Sequence, residues 1–260
     1  GTRPLPEGLY TVAIDAASTR EVDDALGIEL QDGGTILHVL IADAAAWVCA
    51  GTALDREARD RAATAYHPVK DHSMLPEELA FRPMSLAAGE PRRALDIQLF
   101  HGPDGRLISI DVDPVELVLD RRVTYEEADA ILAEAPGGDS LSMTLHDLHA
   151  LSLRLRNIRL EAGAVIFQRP EFKVRVEPDG QVKLRRLPPA SSSQLLVSEC
   201  MIAGSAGAGQ LLEEHDAEGV FRVQPPPDDE IRFDPDQIAD PVWLHENIRK
   251  LRRVEFSLSP

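Results

Sequence analysis

The sequence predicts an α+β fold in which mostly antiparallel sheets pack against helices. Three Asp-Gly turns separate runs of alternating or apolar residues, which is the pattern of β-hairpins. Helical patterns are interspersed with these hairpins in an order that does not fit regular β-α-β winding. The 260 residues, 43% of them hydrophobic, are enough for a sizeable core. We expect one domain over residues 1–260, with a sub-boundary near the proline-rich run at 225–230.

The strands are predicted from the residues on either side of each turn. A first strand, rich in β-branched residues, ends at Asp15. Hairpins are expected at 25–30 with 35–42, at 95–101 with 107–112, and at 172–176 with 181–184. Because the two strands of a hairpin run in opposite directions, these segments favour antiparallel sheets.

Five helices are predicted from apolar spacing and capping signals, at about 53–64, 125–135, 141–162, 191–214 and 242–253. Thr52, Thr124 and Ser191 are placed as N-caps of the first, second and fourth of these helices. Small residues at 204–209 lack the Lys-Ser/Thr of a phosphate-binding loop. They therefore favour close packing of the fourth helix against a neighbour.

The chain is strongly acidic, with 27 Lys and Arg against 44 Asp and Glu and a formal net charge of −17. Taken alone, this charge argues against a nonspecific nucleic-acid binder, whose affinity comes from neutralising phosphates. It also argues against an anionic membrane surface as the partner. No stretch approaches 18 uninterrupted apolar residues, so the sequence predicts no membrane span.

Cysteine usage and the N-terminal sequence bear on the compartment. Cys49 and Cys200 lie in apolar stretches and predict buried free thiols. The first residues hold no apolar core of signal-peptide type, which favours a cytoplasmic location. The sequence leaves the oligomeric state open, with a monomer favoured. The chain lacks an initiator Met and stops at Pro260, so we expect a piece of a longer protein.

The densest chemical signal follows the first strand. Asp15 ends that strand, and Glu21, Asp23 and Asp24 come after a short loop of small residues. Carboxylates this close repel one another unless a cation neutralises them. Mg²⁺ takes one or two carboxylates plus substrate phosphates, and a metal so held activates water for attack on phosphorus. An acidic turn after a strand is also often a solvated surface, so the spacing alone leaves both interpretations open.

Eight segments, in the same order, resemble the RNB catalytic domain of the ribonuclease II family. The first, TVAIDAASTREVDDAL at 11–26, contains the acidic loop. The others lie at 38–48, 51–58, 74–79, 122–127, 167–172, 196–202 and 256–260. The resemblance implies an RNB-type fold. It also implies Mg²⁺-dependent 3′-to-5′ hydrolysis of single-stranded RNA to nucleoside 5′-monophosphates, with Mn²⁺ as a substitute metal.

The resemblance assigns roles to the four acidic residues. Asp15 and Asp24 match metal-ligating aspartates. Asp23 matches the aspartate on which catalysis depends most, through water activation and support of the metal. Glu21 stands where the family normally has another Asp. Its longer arm is expected to displace the metal or its water, and a misplacement of about 1 Å can cost on the order of 10²-fold in rate.

The resemblance also assigns RNA contacts. Tyr125 matches the tyrosine that packs against the terminal nucleotide beside the scissile phosphate. Tyr66 and Phe167 match aromatic residues that stack on bases, Phe167 at the 3′ end. Stacking tolerates any base and suits a sequence-blind exonuclease. Arg169 and Glu199 belong to the same motifs and are expected to contact RNA.

Two departures from the family pattern support a second hypothesis. Ser198 precedes Glu199 where the family commonly has two glutamates. The arginine that stabilises the scissile phosphate in the family belongs to a motif downstream of residues 256–260. The alternative is therefore a weakened or inactive RNB domain that acts as an RNA-binding scaffold.

Basic residues are concentrated in one part of this acidic chain. Residues 151–190 hold nine basic and four acidic side chains. Because a threaded strand responds to the local charge of its channel, we expect this basic island to line the RNA path.

Overall fold

A computed structural model describes residues 1–67, 71–167, 172–177, 179–186, 189–231 and 240–258. Strands and helices are numbered separately in chain order. The strands are β1 (Arg3–Pro4), β2 (Thr11–Asp15), β3 (Asp24–Gln31), β4 (Gly34–Ala42), β5 (Pro91–His101), β6 (Leu107–Val118), β7 (Arg121–Thr124), β8 (Phe172–Val176), β9 (Val182–Arg186), β10 (Phe221–Val223) and β11 (Glu255–Ser257). The helices are α1 (Ala53–Arg61), α2 (Glu77–Ala80), α3 (Tyr125–Ala133), α4 (Ser140–Glu161), α5 (Ser192–Glu214) and α6 (Pro241–Ile248), with a 3-10 helix at Ala44–Ala46.

Seven strands form one sheet in the order β1-β6-β5-β4-β3-β2-β7. The five central strands, from β6 to β2, are joined by antiparallel pairings. Only the outermost strands, β1 and β7, pair in parallel with their neighbours. The predicted α+β class with mostly antiparallel sheets is confirmed, as are the three hairpins.

The helices α3, α4 and α5 cover one face of the sheet. Leu37, Val39 and Leu99 point to this side and pack with Leu148 and Leu196 of the helices, all of them fully or almost fully buried. The other face carries a smaller apolar cluster that includes Leu40, Leu86 and Leu117. Because successive side chains of a strand alternate between faces, neighbouring residues such as Val39 and Leu40 serve different clusters.

The predicted helix starts agree with the capping geometry. The side chains of Thr52, Thr124 and Ser191 each accept a hydrogen bond from a backbone N–H in the first turn of the following helix. The last helix was predicted to run to about residue 253, but α6 ends at Ile248. The chain then tightens into turns in which each backbone N–H bonds three residues back, from Lys250 to Asn247 and from Leu251 to Ile248.

Helix α5 crosses the sheet closely enough to require small residues. A Cβ on Gly204 would lie 3.0 Å from Val39 Cγ1, and one on Gly207 would collide with Leu99. The predicted close packing of residues 204–209 is thereby confirmed. By length and composition α5 is long and apolar enough to cross a membrane, with a mean hydropathy of 1.3. Its buried side packs against the sheet and α4.

The structure adds elements that the sequence did not predict and corrects one expectation. The short strands β1, β7, β10 and β11 pair with segments far away in the chain, which local patterns cannot reveal. Both cysteines are free, and Cys200 is buried as expected. The expectation of a buried Cys49 was wrong, because it follows the 3-10 helix in an exposed turn.

Candidate active site

The acidic loop joins two neighbouring strands of the central sheet. Asp15 is the last residue of β2, and Asp24 is the first residue of β3. These strands are antiparallel, so the end of one lies beside the start of the next. The topology therefore brings Asp15, Asp23 and Asp24 together at one edge of the sheet, next to the start of α3.

Hydrogen bonds to distant parts of the chain hold this loop. Arg122 Nη2 donates to the carbonyl oxygen of Thr19 at 2.7 Å and to that of Ala16 at 3.3 Å. The backbone N–H of Val22 donates to Ser85 Oγ at 3.0 Å. The carbonyl of Asp23 accepts from the backbone N–H of Ala42 at 2.9 Å. Both ends of the loop are thus anchored to the sheet, which fixes where its carboxylates lie.

The electrostatics of the cluster disfavour full ionisation. Burial, followed by the charges of Asp15 and Asp23, raises the pKa of Asp24 to about 6. Burial and the charge of Asp23 also raise the pKa of Asp15, although Arg122 and a hydrogen bond from Thr19 act in the opposite direction. Asp23 reaches solvent, but the protein around it desolvates its carboxyl and raises its pKa. A cation placed here would lower the free-energy cost of ionising these carboxyl groups.

The donor set fits Mg²⁺ through its chemistry. Asp15 and Asp24 offer hard carboxylate oxygens, and the pKa of each carboxyl is raised in the absence of a cation. Within the described residues, no three His, Cys, Asp or Glu side chains converge into a ready-made metal site. Since Mg²⁺ is commonly bound by one or two carboxylates and completed by water and substrate phosphates, two aspartates are sufficient protein ligands.

Tyr125 lies beside this cluster as the first residue of α3. The N-cap Thr124 forms a reciprocal capping box with Glu127, which fixes the start of the helix. Thr124 is also the register partner of Asp15. Burial and the charges of Asp15 and Asp24 raise the pKa of the Tyr125 phenol, so this side chain stays neutral and remains a hydrogen-bond donor.

Glu21 takes part in a different contact from the aspartates. Tyr66 Oη donates to Glu21 Oε2 at 3.3 Å, although Tyr66 is exposed. Burial and then the charge of Asp23 raise the pKa of Glu21. The two side chains line a cavity of about 330 Å³, to which Thr64, Phe81 and the loop residues Ser18 to Arg20 contribute. The structure therefore brings the predicted residues Glu21 and Tyr66 together.

A second cavity connects Glu21 with Asp23. It has a volume of about 300 Å³ and is lined on its other side by residues that precede and follow α2, including Met74 and Met84. At the edge of the first cavity, the Arg20 guanidinium lies 3.9 Å above the ring centroid of Phe81. Sequence reasoning assigned no role to Arg20 or Phe81, because they are 61 positions apart in the chain and no local pattern indicates their contact.

The other residues predicted to contact RNA lie elsewhere in the structure or outside the described residues. The Phe167 ring packs against Trp243 of α6, with centroids 5.6 Å apart and planes tilted by 47°. Glu199 is almost fully buried in α5, where its carboxylate accepts two hydrogen bonds from Arg159, at 2.8 and 2.9 Å. Arg169 is outside the described residues. None of these geometries tests the predicted contact with RNA.

Comparison with known proteins assigns the family. The RNB domain pattern matches residues 7–243, which is most of the chain. The chain belongs to the RNB family. The RNB match includes the acidic loop, Tyr125 and the anchoring Arg122. The RNase II/R resemblance found in the sequence is confirmed.

Relatives and solved structures agree with this RNB assignment. Exoribonuclease 2 of Aeromonas hydrophila is 32% identical over 217 residues, which cover 81% of this chain and 32% of that protein. RNase R of Mycoplasma genitalium, solved with ribose-methylated single-stranded RNA, superimposes with a TM-score of 0.85 at 21% identity, over 100% of this chain and 46% of that one. Yeast Ssd1, described as a pseudonuclease, gives a TM-score of 0.73 at 16% identity, over 99% of this chain and 35% of its own. The RNB domain described here thus spans about a third to under a half of these proteins.

Proposed function

We propose that this chain is the catalytic domain of a Mg²⁺-dependent exoribonuclease that hydrolyses single-stranded RNA from its 3′ end to nucleoside 5′-monophosphates. The observation that carries the proposal is the meeting of Asp15, Asp23 and Asp24 beside Tyr125 in a chain of the RNB family. The acids crowd one another where a metal and a phosphate would neutralise them.

In this proposal the acidic residues divide the chemistry between them. Asp15 and Asp24 would hold Mg²⁺, which supplies charge stabilisation at the phosphoryl group and lowers the pKa of water. Asp23 accepts the proton of the attacking water, and its raised pKa makes it a better base near neutral pH than an ordinary aspartate. Water oxygen bonds to phosphorus and the bond from phosphorus to the 3′ oxygen breaks. The 3′ oxygen takes up a proton and stays on the shortened strand as a hydroxyl, and the phosphate leaves with the released nucleotide.

The aromatic residues position the RNA. The neutral Tyr125 phenol stands beside Asp15 and Asp24, where it would pack against the terminal nucleotide. Tyr66 would stack on a base farther upstream, and its hydroxyl donates a hydrogen bond to Glu21. Each stacked base contributes about 1–3 kcal/mol without regard to sequence.

The experiment compares product release by the wild type and by Asp23→Asn. Single-stranded RNA is incubated with Mg²⁺, and nucleoside 5′-monophosphates are separated and counted. Release by the wild type that vanishes in Asp23→Asn supports the proposal. Asp32→Asn is the matched control, because it makes the same chemical change in the exposed turn at the far end of β3. Equal release by wild type and Asp23→Asn would overturn the assignment.

The second candidate is an RNB domain that binds RNA without cutting it. The contact of Glu21 with Tyr66 favours it, since the carboxylate that the family places among the metal-site acids here bonds to an aromatic side chain. The same fold also occurs in a protein described as a pseudonuclease. RNA binding with no nucleotide release in either Mg²⁺ or Mn²⁺ would support this candidate.

A further inference from the structure

The basic island at 151–190 divides into two parts with different surroundings. On α4, Arg159 donates to Glu199 through two nitrogens, and Arg156 Nη1 lies 3.6 Å from the same carboxylate. Arg154 packs against the turn between β5 and β6, near Gly105. Arg156 and Arg159 are therefore engaged by Glu199, whereas Arg154 is exposed. Three further exposed cations in the described part of the island, Lys183, Arg185 and Arg186, lie on β9.

This hairpin forms a two-stranded sheet of its own. Every residue of β9 is exposed, and Phe172 and Leu184 expose 56% and 68% of their surface. A lone two-stranded hairpin is marginally stable in water, so it gains from a partner that lies along it. Residues 172–186 hold five basic side chains and two acidic ones in a chain whose net charge is −17.

The strand register of the hairpin pairs basic residues of β8 with basic residues of β9. Lys173 pairs with Arg185, and Arg175 pairs with Lys183. Because side chains alternate along a strand, Lys183 and Arg185, two residues apart on β9, belong to one face of the hairpin, which we call the cationic face. The apolar pair Val174 and Leu184 belongs to the opposite face.

The open end of the hairpin combines an aromatic ring with a cation. Phe172 is the register partner of Arg186, both are exposed, and by the alternation of side chains they belong to the face of Val174 and Leu184. Proteins that hold single strands without sequence preference use cations that follow the phosphate backbone, and the face of Lys183 and Arg185 offers such cations. Phe172 also lies five residues after Phe167, so the hairpin continues the chain directly from a proposed base contact.

We propose that the β8–β9 hairpin binds single-stranded RNA along its cationic face, with Lys183 and Arg185 on the phosphate backbone. This inference rests on the proposed function for the identity of the nucleic acid. It adds a binding surface separate from the acidic loop and supplies local positive charge that the acidic chain as a whole lacks. Lys183, whose Nζ lies 3.4 Å from Glu177, exchanges that carboxylate for a phosphate on binding.

The test measures affinity for an unstructured fluorescent RNA by anisotropy, in EDTA so that no cleavage occurs, over a range of salt concentrations. The test variant is Lys183→Glu with Arg185→Glu. The matched control is Arg59→Glu with Arg106→Glu, which makes the same charge change at two exposed arginines of α1 and the β5–β6 turn. Thermal melting checks that both variants are folded.

We expect the hairpin variant to bind at least about 10-fold more weakly than the control at low salt. The slope of log affinity against log salt concentration should become shallower by about 1.4, since each phosphate contact to a single strand contributes about 0.7. Lys183→Gln with Arg185→Gln should lose the same slope without added repulsion. Equal affinity and slope in hairpin and control variants would overturn the inference, as would absence of RNA binding by the wild type.

The two proposals fail in different ways. RNA binding that depends on the hairpin, without nucleotide release by the wild type, supports the hairpin surface and removes the proposed nuclease. Nucleotide release that needs Asp23, with unchanged affinity in the hairpin variants, supports the nuclease and removes the hairpin surface.

Discussion

Buried or half-buried acids in two regions of this molecule are compensated in opposite ways. Glu199, inside the helical layer, accepts hydrogen bonds from Arg159 and lies near a second arginine. Asp24, at the edge of the sheet, has Asp15 and Asp23 as its main charged neighbours, and its pKa rises to about 6. The core acid carries its counter-charge within the chain, whereas the loop acid needs one from outside. Perturbed carboxylates of the second kind are typical of functional sites.

The largest expected effect comes from replacing Asp24. In Asp24→Asn we expect nucleotide release to fall by more than about 100-fold. Loss of a residue that only supports a metal ligand costs up to about 100-fold, and Asp24 is proposed as a ligand itself. Stability should change in the other direction. The folded pKa of Asp24 lies above its ordinary value of 3.8, so folding stability is lost as the pH rises from about 3.8 to about 6, and the loss is complete above that range.

The stability half of this prediction is measured by urea unfolding at pH 8 in EDTA. Asp24→Asn should raise the free energy of unfolding by about 1–2 kcal/mol, after allowance for solvent screening. Asp32→Asn serves again as the control and should change neither activity nor stability. A loss of stability in Asp24→Asn would mean that the loop acids are compensated within the chain, and the contrast with Glu199 would fail.

The next largest effect is expected at the core acid. Glu199→Gln leaves the half-buried guanidinium of Arg159 without its carboxylate and should lower the free energy of unfolding by about 2–3 kcal/mol. Ser198→Ala, at the exposed neighbouring position of α5, is the matched control. Chemical denaturation of both variants is the measurement. Equal stability of Glu199→Gln and wild type would show that the buried pair contributes no net stability.

Metal binding provides a smaller test of the same contrast. Mg²⁺ should stabilise the wild type by about 1 kcal/mol when its concentration is about five times its Kd, through preferential binding to the folded state. Asp24→Asn should lose this gain, whereas Glu199→Gln should keep it. The measurement is the shift in melting temperature on adding Mg²⁺, with Na⁺ at equal ionic strength as the control. A Mg²⁺ shift that persists in Asp24→Asn would move the metal site away from the loop.

The smallest expected effect concerns pH and a second compensated group. His38 is fully buried, with Nδ1 2.9 Å from Asp96 Oδ2 and Nε2 2.9 Å from Glu29 Oε1. Burial alone lowers the pKa of His38, but the hydrogen bonds and charges of Asp96 and Glu29 outweigh it and raise the pKa. The resulting stability is therefore fully present below about pH 6.5, the unfolded value, and is lost as the pH rises through the folded pKa.

We expect wild-type stability to decline over this interval and the decline to be smaller in His38→Gln. Urea unfolding from pH 6 to pH 9, with both proteins in the same buffers, is the measurement. Parallel pH profiles for the two proteins would show that His38 is not the titrating group.

The sequence determined the local structure and the chemistry of this protein. Asp-Gly turns and alternating runs predicted the hairpins, and Thr124 predicted the start of α3, because these signals act over a few residues. Asp15, Asp23 and Asp24 were recognisable from their density and from the RNB motif.

The tertiary structure decided which distant residues support that chemistry. Arg122 anchors the acidic loop from β7, more than a hundred residues away, and Tyr66 reaches Glu21 from the segment after α1. It also separated the basic island into arginines that hold Glu199 and a hairpin that faces solvent. Contacts of this kind depend on strand pairing and helix packing between remote segments, which no local pattern in the chain encodes.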